Sequence, residues 1–131
     1  MSDAPVCFSV FGLPRAQGSL RHVGRGRLIH PPDLVRWRLD IAAAAAKEMD
    51  ARLPLEGPVV LDAHFYLPRP KSVKNRALPW RKPDLDKLVR GLCDALTGTV
   101  VGDDAQVVKI VATKQYADET PPGVTVIVGV V

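Results

Sequence analysis

The chain runs strand, loop, helix, strand, helix, strand, strand, and that order confines what it can fold into. Val6 to Leu13 and Val59 to Leu67 are apolar, β-favouring runs flanked by Gly and Pro. Pro31-Pro32-Asp33 opens a helix that extends to about Arg52, with Trp37, Ile41, Ala45 and Met49 at helical spacing. Leu85, Leu88, Val89, Leu92 and Leu96 form the apolar stripe of a second helix over Asp84 to Leu96, ended by Thr97-Gly98. Val107 to Tyr116 and Val124 to Val131 read as strands joined by a turn around Asp118 to Gly123. The expectation is one α+β domain over residues 1–131. Its sheet is mixed or mainly antiparallel, with the two main helices packed on it.

A chain of 131 residues, 47% of them apolar, buries enough surface to fold without disulfides or a structural metal. Cys7 and Cys93 stand in no C-x-x-C pair, and Cys93 falls in an apolar helical pattern, so it reads as a small buried hydrophobe. The N-terminal segment lacks the form of a signal peptide. No apolar stretch approaches the roughly 20 residues of a membrane span. A cytoplasmic protein is expected.

The net charge of +4 matters less than its distribution. Arg69, Lys71, Lys74, Arg76, Arg81 and Lys82 follow one another with no intervening acid, in a proline-rich loop from Pro68 to Pro83. Arg15, Arg21, Arg25 and Arg27 punctuate a glycine-rich segment over residues 15–30, either an irregular hairpin or a mobile loop. Against these, Asp84, Asp86, Asp94, Asp103 and Asp104 crowd into one short stretch. Basic segments beside an acidic cluster suit a protein that grips phosphates and binds a cation at one point. A solvated basic surface is the plainer alternative.

With Leu85 set at zero, about 100° per residue places Asp86 near 100° and Arg90 near 140°, on one flank of the buried stripe. Asp84 falls at the N-cap, and Asp103-Asp104 occupy a turn that a short connection can bring back beside the helix. Carboxylates gathered on one spot repel unless a cation neutralises them. Mg²⁺ prefers oxygen ligands and takes only one or two carboxylates together with substrate phosphates. Such ions activate water and stabilise a leaving oxygen, and Arg90 or Lys87 can neutralise phosphate charge. The structural alternatives are an ordinary Asp N-cap and an ordinary Asp-Asp turn. Asp94 points away from the Asp86 flank and is read as a surface residue, and His64 as a structural histidine. Trp80 either stacks on an opened base or anchors its loop on the core.

The string Pro83-Asp84-Leu85-Asp86-Lys87-Leu88, then Cys93-Asp94-Ala95-Leu96-Thr97, then Asp103-Asp104-Ala105-Gln106-Val107 resembles the RusA family of Holliday junction resolvases. Tyr66-Leu67-Pro68-Arg69-Pro70-Lys71-Ser72 is similar to the approach to this motif in phage and bacterial members. The resemblance implies a homodimeric, Mg²⁺-dependent endonuclease, with Mn²⁺ as a substitute, that cuts four-way branched DNA by paired, symmetric nicks. It implies Asp84, Asp86 and Asp104 as the catalytic, metal-holding aspartates, with Asp103 as an adjacent acid. The family's important lysine, one turn beyond the second aspartate, is Arg90 in this chain. Lys87 stands where the family pattern has Asn. Arg15, Arg21, Arg25, Arg27, Arg69, Lys71, Lys74, Arg76, Arg81, Lys82 and Lys87 are the expected DNA-binding cations. The rival expectations are a non-catalytic DNA-binding protein on the same scaffold, which the Arg90 departure favours, and a metal nuclease that prefers flaps or forks.

Overall fold

The computed structural model describes residues 4–18, 20–74 and 77–131. Among these, β1 (Val6–Phe11) is followed by a short hairpin, β2 (Arg21–His22) and β3 (Leu28–Ile29), and then by α1 (Pro32–Met49). β4 (Val59–Leu67), α2 (Leu85–Leu96), a 3₁₀ turn at Asp104–Gln106, β5 (Val107–Tyr116) and β6 (Gly123–Val130) complete the order. The main sheet runs β1-β6-β4-β5. β6 pairs antiparallel with both β1 and β4, whereas β4 and β5 are parallel, so the sheet is mixed as expected. Parallel neighbours cannot be joined by a hairpin. The 68–83 loop and α2 form the crossover between β4 and β5.

β4 shows why the sheet has an inside and an outside. Val59, Leu61, Ala63, Phe65 and Leu67 are buried and alternate with half-exposed Val60, Asp62, His64 and Tyr66. That period of two sends one set under the helices and the other to the opposite face. α1 buries Leu34, Trp37, Ile41, Ala45 and Met49 in the core, and α2 buries Leu88, Gly91, Leu92, Ala95 and Leu96. On the outward face His64 Nε2 stands 2.5 Å from Asp62 Oδ1. Its Nδ1 is 2.6 Å from the hydroxyl of Thr113, its register partner on β5. His64 is therefore held by a cross-strand pair, as a structural histidine is.

One glycine is required by close approach. A Cβ on Gly123 would stand 2.1 Å from the carbonyl oxygen of Val10, where β1 meets β6. No side chain fits there without pushing the two strands apart.

Residues 21–29 form a short hairpin rather than an open loop, closed by Val23 N–H donating to the Arg27 carbonyl at 3.0 Å. Before the hairpin, the chain crosses α2: Gln17 N–H donates to the Lys87 carbonyl at 2.9 Å. A Cβ on Gly91 would meet Gln17 Cβ at 3.5 Å and the Arg15 carbonyl at 3.7 Å. The buried Gln17 amide donates to the Asp94 carboxylate. Asp94 thus has a tying role rather than the free surface position expected of it. Among the described residues no helix is long and apolar enough to cross a membrane.

Phe65 is fully buried at the centre of this core. Phe65→Ala is expected to destabilise the protein by about 3–5 kcal/mol through lost contacts and the cavity left behind. Urea unfolding measures the loss as a lowered midpoint at unchanged slope.

Candidate active site

α2 begins at Leu85 because Asp84 is extended, with φ −71° and ψ 135°, while its carbonyl already accepts the Leu88 N–H at 3.0 Å. An aspartate at this position ordinarily spends its carboxylate on the first-turn N–H groups. Asp84 makes no such cap hydrogen bond. Its exposed carboxylate, two positions before Asp86, is left facing solvent at the helix start. Asp86 is exposed and has Lys87 Nζ at 3.4 Å, an ion pair that water screens to little net energy.

Asp103 and Asp104 divide the roles that the sequence left joined. Asp103 Oδ1 accepts the Ala105 N–H at 2.8 Å, and Gln106 Oε1 accepts the N–H groups of Gly102 and Asp103 at 2.9 and 3.1 Å. The Gln106 amide then donates to the Leu55 and Gly57 carbonyls at 2.8 and 2.9 Å. Asp103 is a capping residue of the 3₁₀ turn, a role the sequence reading did not assign to it. Asp104 shares a small cavity with Cys93, Leu96 and Val107. Burial first, then the charges of Asp104 and Asp94, push the Cys93 thiol up to about 11. The thiol therefore stays protonated at neutral pH and competes poorly as a metal ligand.

Helical geometry orders these groups along α2. Cys93 lies near 80° on the scale that puts Asp86 near 100° and Arg90 near 140°, so the three share a flank. Asp86 and Cys93 are seven residues apart, about 10 Å along the axis. Asp84 and Asp86 thus mark one end of an acidic flank, Asp104 the other, and the exposed Arg90 lies between their levels. Among the described residues, no three His, Cys, Asp or Glu side chains stand close enough to share one ion. The three expected aspartates line one side of α2 without meeting at a point.

Two anchors tie the basic loop to the far end of β5. Lys114 Nζ donates to the Arg81 and Pro83 carbonyls at 2.7 and 2.9 Å, directly ahead of Asp84. The Lys82–Pro83 peptide between them is cis. Arg69 forms a two-pronged pair with Asp118, at 2.7 and 2.6 Å, and donates to the Lys74 carbonyl. Its guanidinium lies 4.3 Å from the Tyr116 ring centroid. Arg69 is therefore a structural clasp, a role the sequence reading did not assign to it. Lys71, Lys74, Arg81 and Lys82 are exposed on the loop, and Lys87 is half-exposed on α2. Arg15 is half-exposed and 3.7 Å from Asp33. Arg25 and Arg27 are exposed at the hairpin tip. Arg76 and the side chain of Arg21 lie outside the described residues.

The fold and this flank define a small α+β protein with an acidic helix start beside a clamped basic loop, the equipment of a nucleic-acid-processing protein. A family model described as endodeoxyribonuclease RusA matches residues 12–129. The chain belongs to the RusA endodeoxyribonuclease family, as the Asp84 to Val107 string suggested. It is also 34% identical over 125 residues to the uncharacterized protein YqaN of Bacillus subtilis (strain 168), an alignment covering 86% of this chain and 88% of that one.

Two outcomes test the clasp and the anchor. Arg69 holds the Asp118 carboxyl below the usual carboxylate range, chiefly through its hydrogen bond. Asp118 thus has a lower pKa folded than unfolded. The clasp is at full strength above about pH 4 and is lost as pH falls through the folded value. An NMR titration of Asp118 is expected to give a midpoint below that of a free aspartate, and Arg69→Lys to move it back up. Lys114→Met removes both loop hydrogen bonds while keeping most of the apolar stem. It is expected to lower the DNA-cleavage rate about tenfold or more, from about 1.5–3 kcal/mol of lost charged hydrogen bonding, with the sheet intact by circular dichroism.

Proposed function

We propose that this protein is a Mg²⁺-dependent, structure-specific endodeoxyribonuclease that resolves four-way DNA junctions by paired, symmetric nicks, and that it acts as a homodimer. Family membership supplies the reaction class, nuclease cleavage at branched DNA. The observation that carries the rest is Asp84. It occupies a helix N-cap yet leaves its carboxylate out of the cap, two positions from Asp86 and directly after a basic loop.

The donor set suits Mg²⁺. It consists of exposed carboxylate oxygens. Two carboxylates are enough protein ligands for Mg²⁺ when substrate phosphates and water fill the remaining positions. Asp84 and Asp86 would hold the ion at the start of α2, and Asp104 extends the same acidic flank. When bound, Mg²⁺ neutralises phosphate charge and makes a water molecule more acidic. Arg90, between the two ends of the flank, places a fixed guanidinium where phosphate oxygens gain charge. Arginine does not readily yield a proton, so its contribution is electrostatic. Lys71, Lys74, Arg81 and Lys82 grip phosphates on the approach to Asp84 without reading sequence. A two-fold dimer offers two such faces to two strands of like polarity, matching the symmetry of a four-way junction.

Synthetic junction, fork and duplex substrates at matched salt test this. The wild type is expected to make paired nicks in the junction with Mg²⁺ or Mn²⁺. Asp84→Asn and Asp86→Asn are each expected to slow nicking by about 100-fold or more while junction binding persists. Asp103→Ala is expected to cost about 1 kcal/mol of stability as a lost cap and to retain most activity. Tight junction binding with no cleavage in either metal would make the protein a non-catalytic scaffold. Faster cutting of forks than of junctions would reassign its substrate.

A further inference from the structure

Beside the acidic flank lies a cleft of about 810 Å³. Its walls come from the segment after β1, the start of α1, the end of β4 and the 68–83 loop, and it ends at Pro83, next to Asp84. Its lining is unusual in two ways. Pro14, Pro31, Pro68, Pro70, Pro79 and Pro83 contribute rigid apolar rings. Trp80 and Leu78, also on the wall, are 77% and 71% exposed. Trp80 therefore does not anchor the loop on the core. A cleft of this volume, apolar on its walls with a few charged groups, has the form that ligand sites take.

The charges around the cleft point to its occupant. Arg15, Arg81 and Lys82 stand on its wall, and the Arg81 guanidinium lies 4.9 Å from the Trp80 ring centroid. Asp33 is the one acid on that wall among the described residues, and it is paired with Arg15 at 3.7 Å. Such an exposed pair is weak and readily exchanged. A ligand that fits must be flat and apolar on one part and anionic on another. A stacked duplex offers phosphates but hides its base faces. An unstacked deoxynucleotide offers both, and base faces open at a branch point. Proline walls lose little side-chain freedom on binding, which favours such a fit.

We propose that the cleft receives an unstacked deoxynucleotide from the strand beside the scissile phosphate, its base against Trp80 and the proline wall and its phosphate on Arg15 and Lys82. This rests on the junction-nuclease function and adds a subsite to it. Trp80 and the neighbouring cations act on the bound strand, as stacking platforms with basic edges do in single-strand binding.

A junction carrying 2-aminopurine at the branch point, bound in Ca²⁺ to prevent cutting, tests the subsite separately from the chemistry. Wild-type protein is expected to change the probe's fluorescence as the base leaves the DNA stack for the tryptophan. Trp80→Ala is expected to abolish the change and weaken junction binding about tenfold, the loss of one base–aromatic stack. Trp80→Phe is expected to restore most of both. Nicking of unlabelled junction in Mg²⁺ is read in parallel. A fluorescence change without nicking supports the subsite and overturns the nuclease function. Nicking with no fluorescence change, or a Trp80→Ala protein that binds as the wild type does, overturns the subsite and leaves the nuclease standing. Sedimentation showing that Trp80→Ala splits a dimer would give the cleft to a second copy of the chain and overturn the proposal.

Discussion

The parallel pairing of β4 with β5 is the constraint from which the candidate site follows. Two parallel neighbours need a crossover, and here the crossover consists of the basic loop and α2. The helix must begin near the end of β4, so Asp84 and Asp86 arrive at the carboxyl end of a parallel strand. That is where α/β crossovers commonly leave room for a ligand. Burial of Leu88, Leu92 and Leu96 against the sheet then fixes how the helix is rolled. With the stripe facing down, Asp86, Arg90 and Cys93 have to lie on its flank.

Most of the secondary structure was legible from local signals. The β4 and β5 segments show the expected boundaries, α1 hides the expected Trp37, Ile41, Ala45 and Met49, and α2 starts one residue after Asp84. These elements combine an apolar period with Pro or Gly punctuation, so sequence and packing agree. Strand order and the parallel β4–β5 pair depend on contacts between distant segments and could not be read from any local window. The same holds for Gln17 and Asp94, which meet across 77 positions of sequence.

The aspartates were legible as residues and not as roles. Asp84, Asp86, Asp103 and Asp104 look alike in sequence, yet one leaves its helix cap unmade and another spends its carboxylate on a 3₁₀ turn. A Gly-Asp-Asp-Ala-Gln string carries a signal for that turn: an Asp with Gln three positions later is a capping box. Arg69 looked like one more cation in a basic run because its partner, Asp118, lies 49 residues away. Trp80 looked capable of packing inward. The lining beside it is mostly proline and loop backbone, and the ring stays at the surface.

β5 begins directly after the turn that holds Asp104 and, near its other end, grips the carbonyls that lead into Asp84. The strand therefore works as a ruler between the two ends of the acidic flank. An extended backbone advances about 3.3 Å per residue and has almost no slack to give up. Small adjustments in separation fall to side-chain torsions at the ends of the ruler, so the distance between the two ends of the acidic flank is graduated by backbone length.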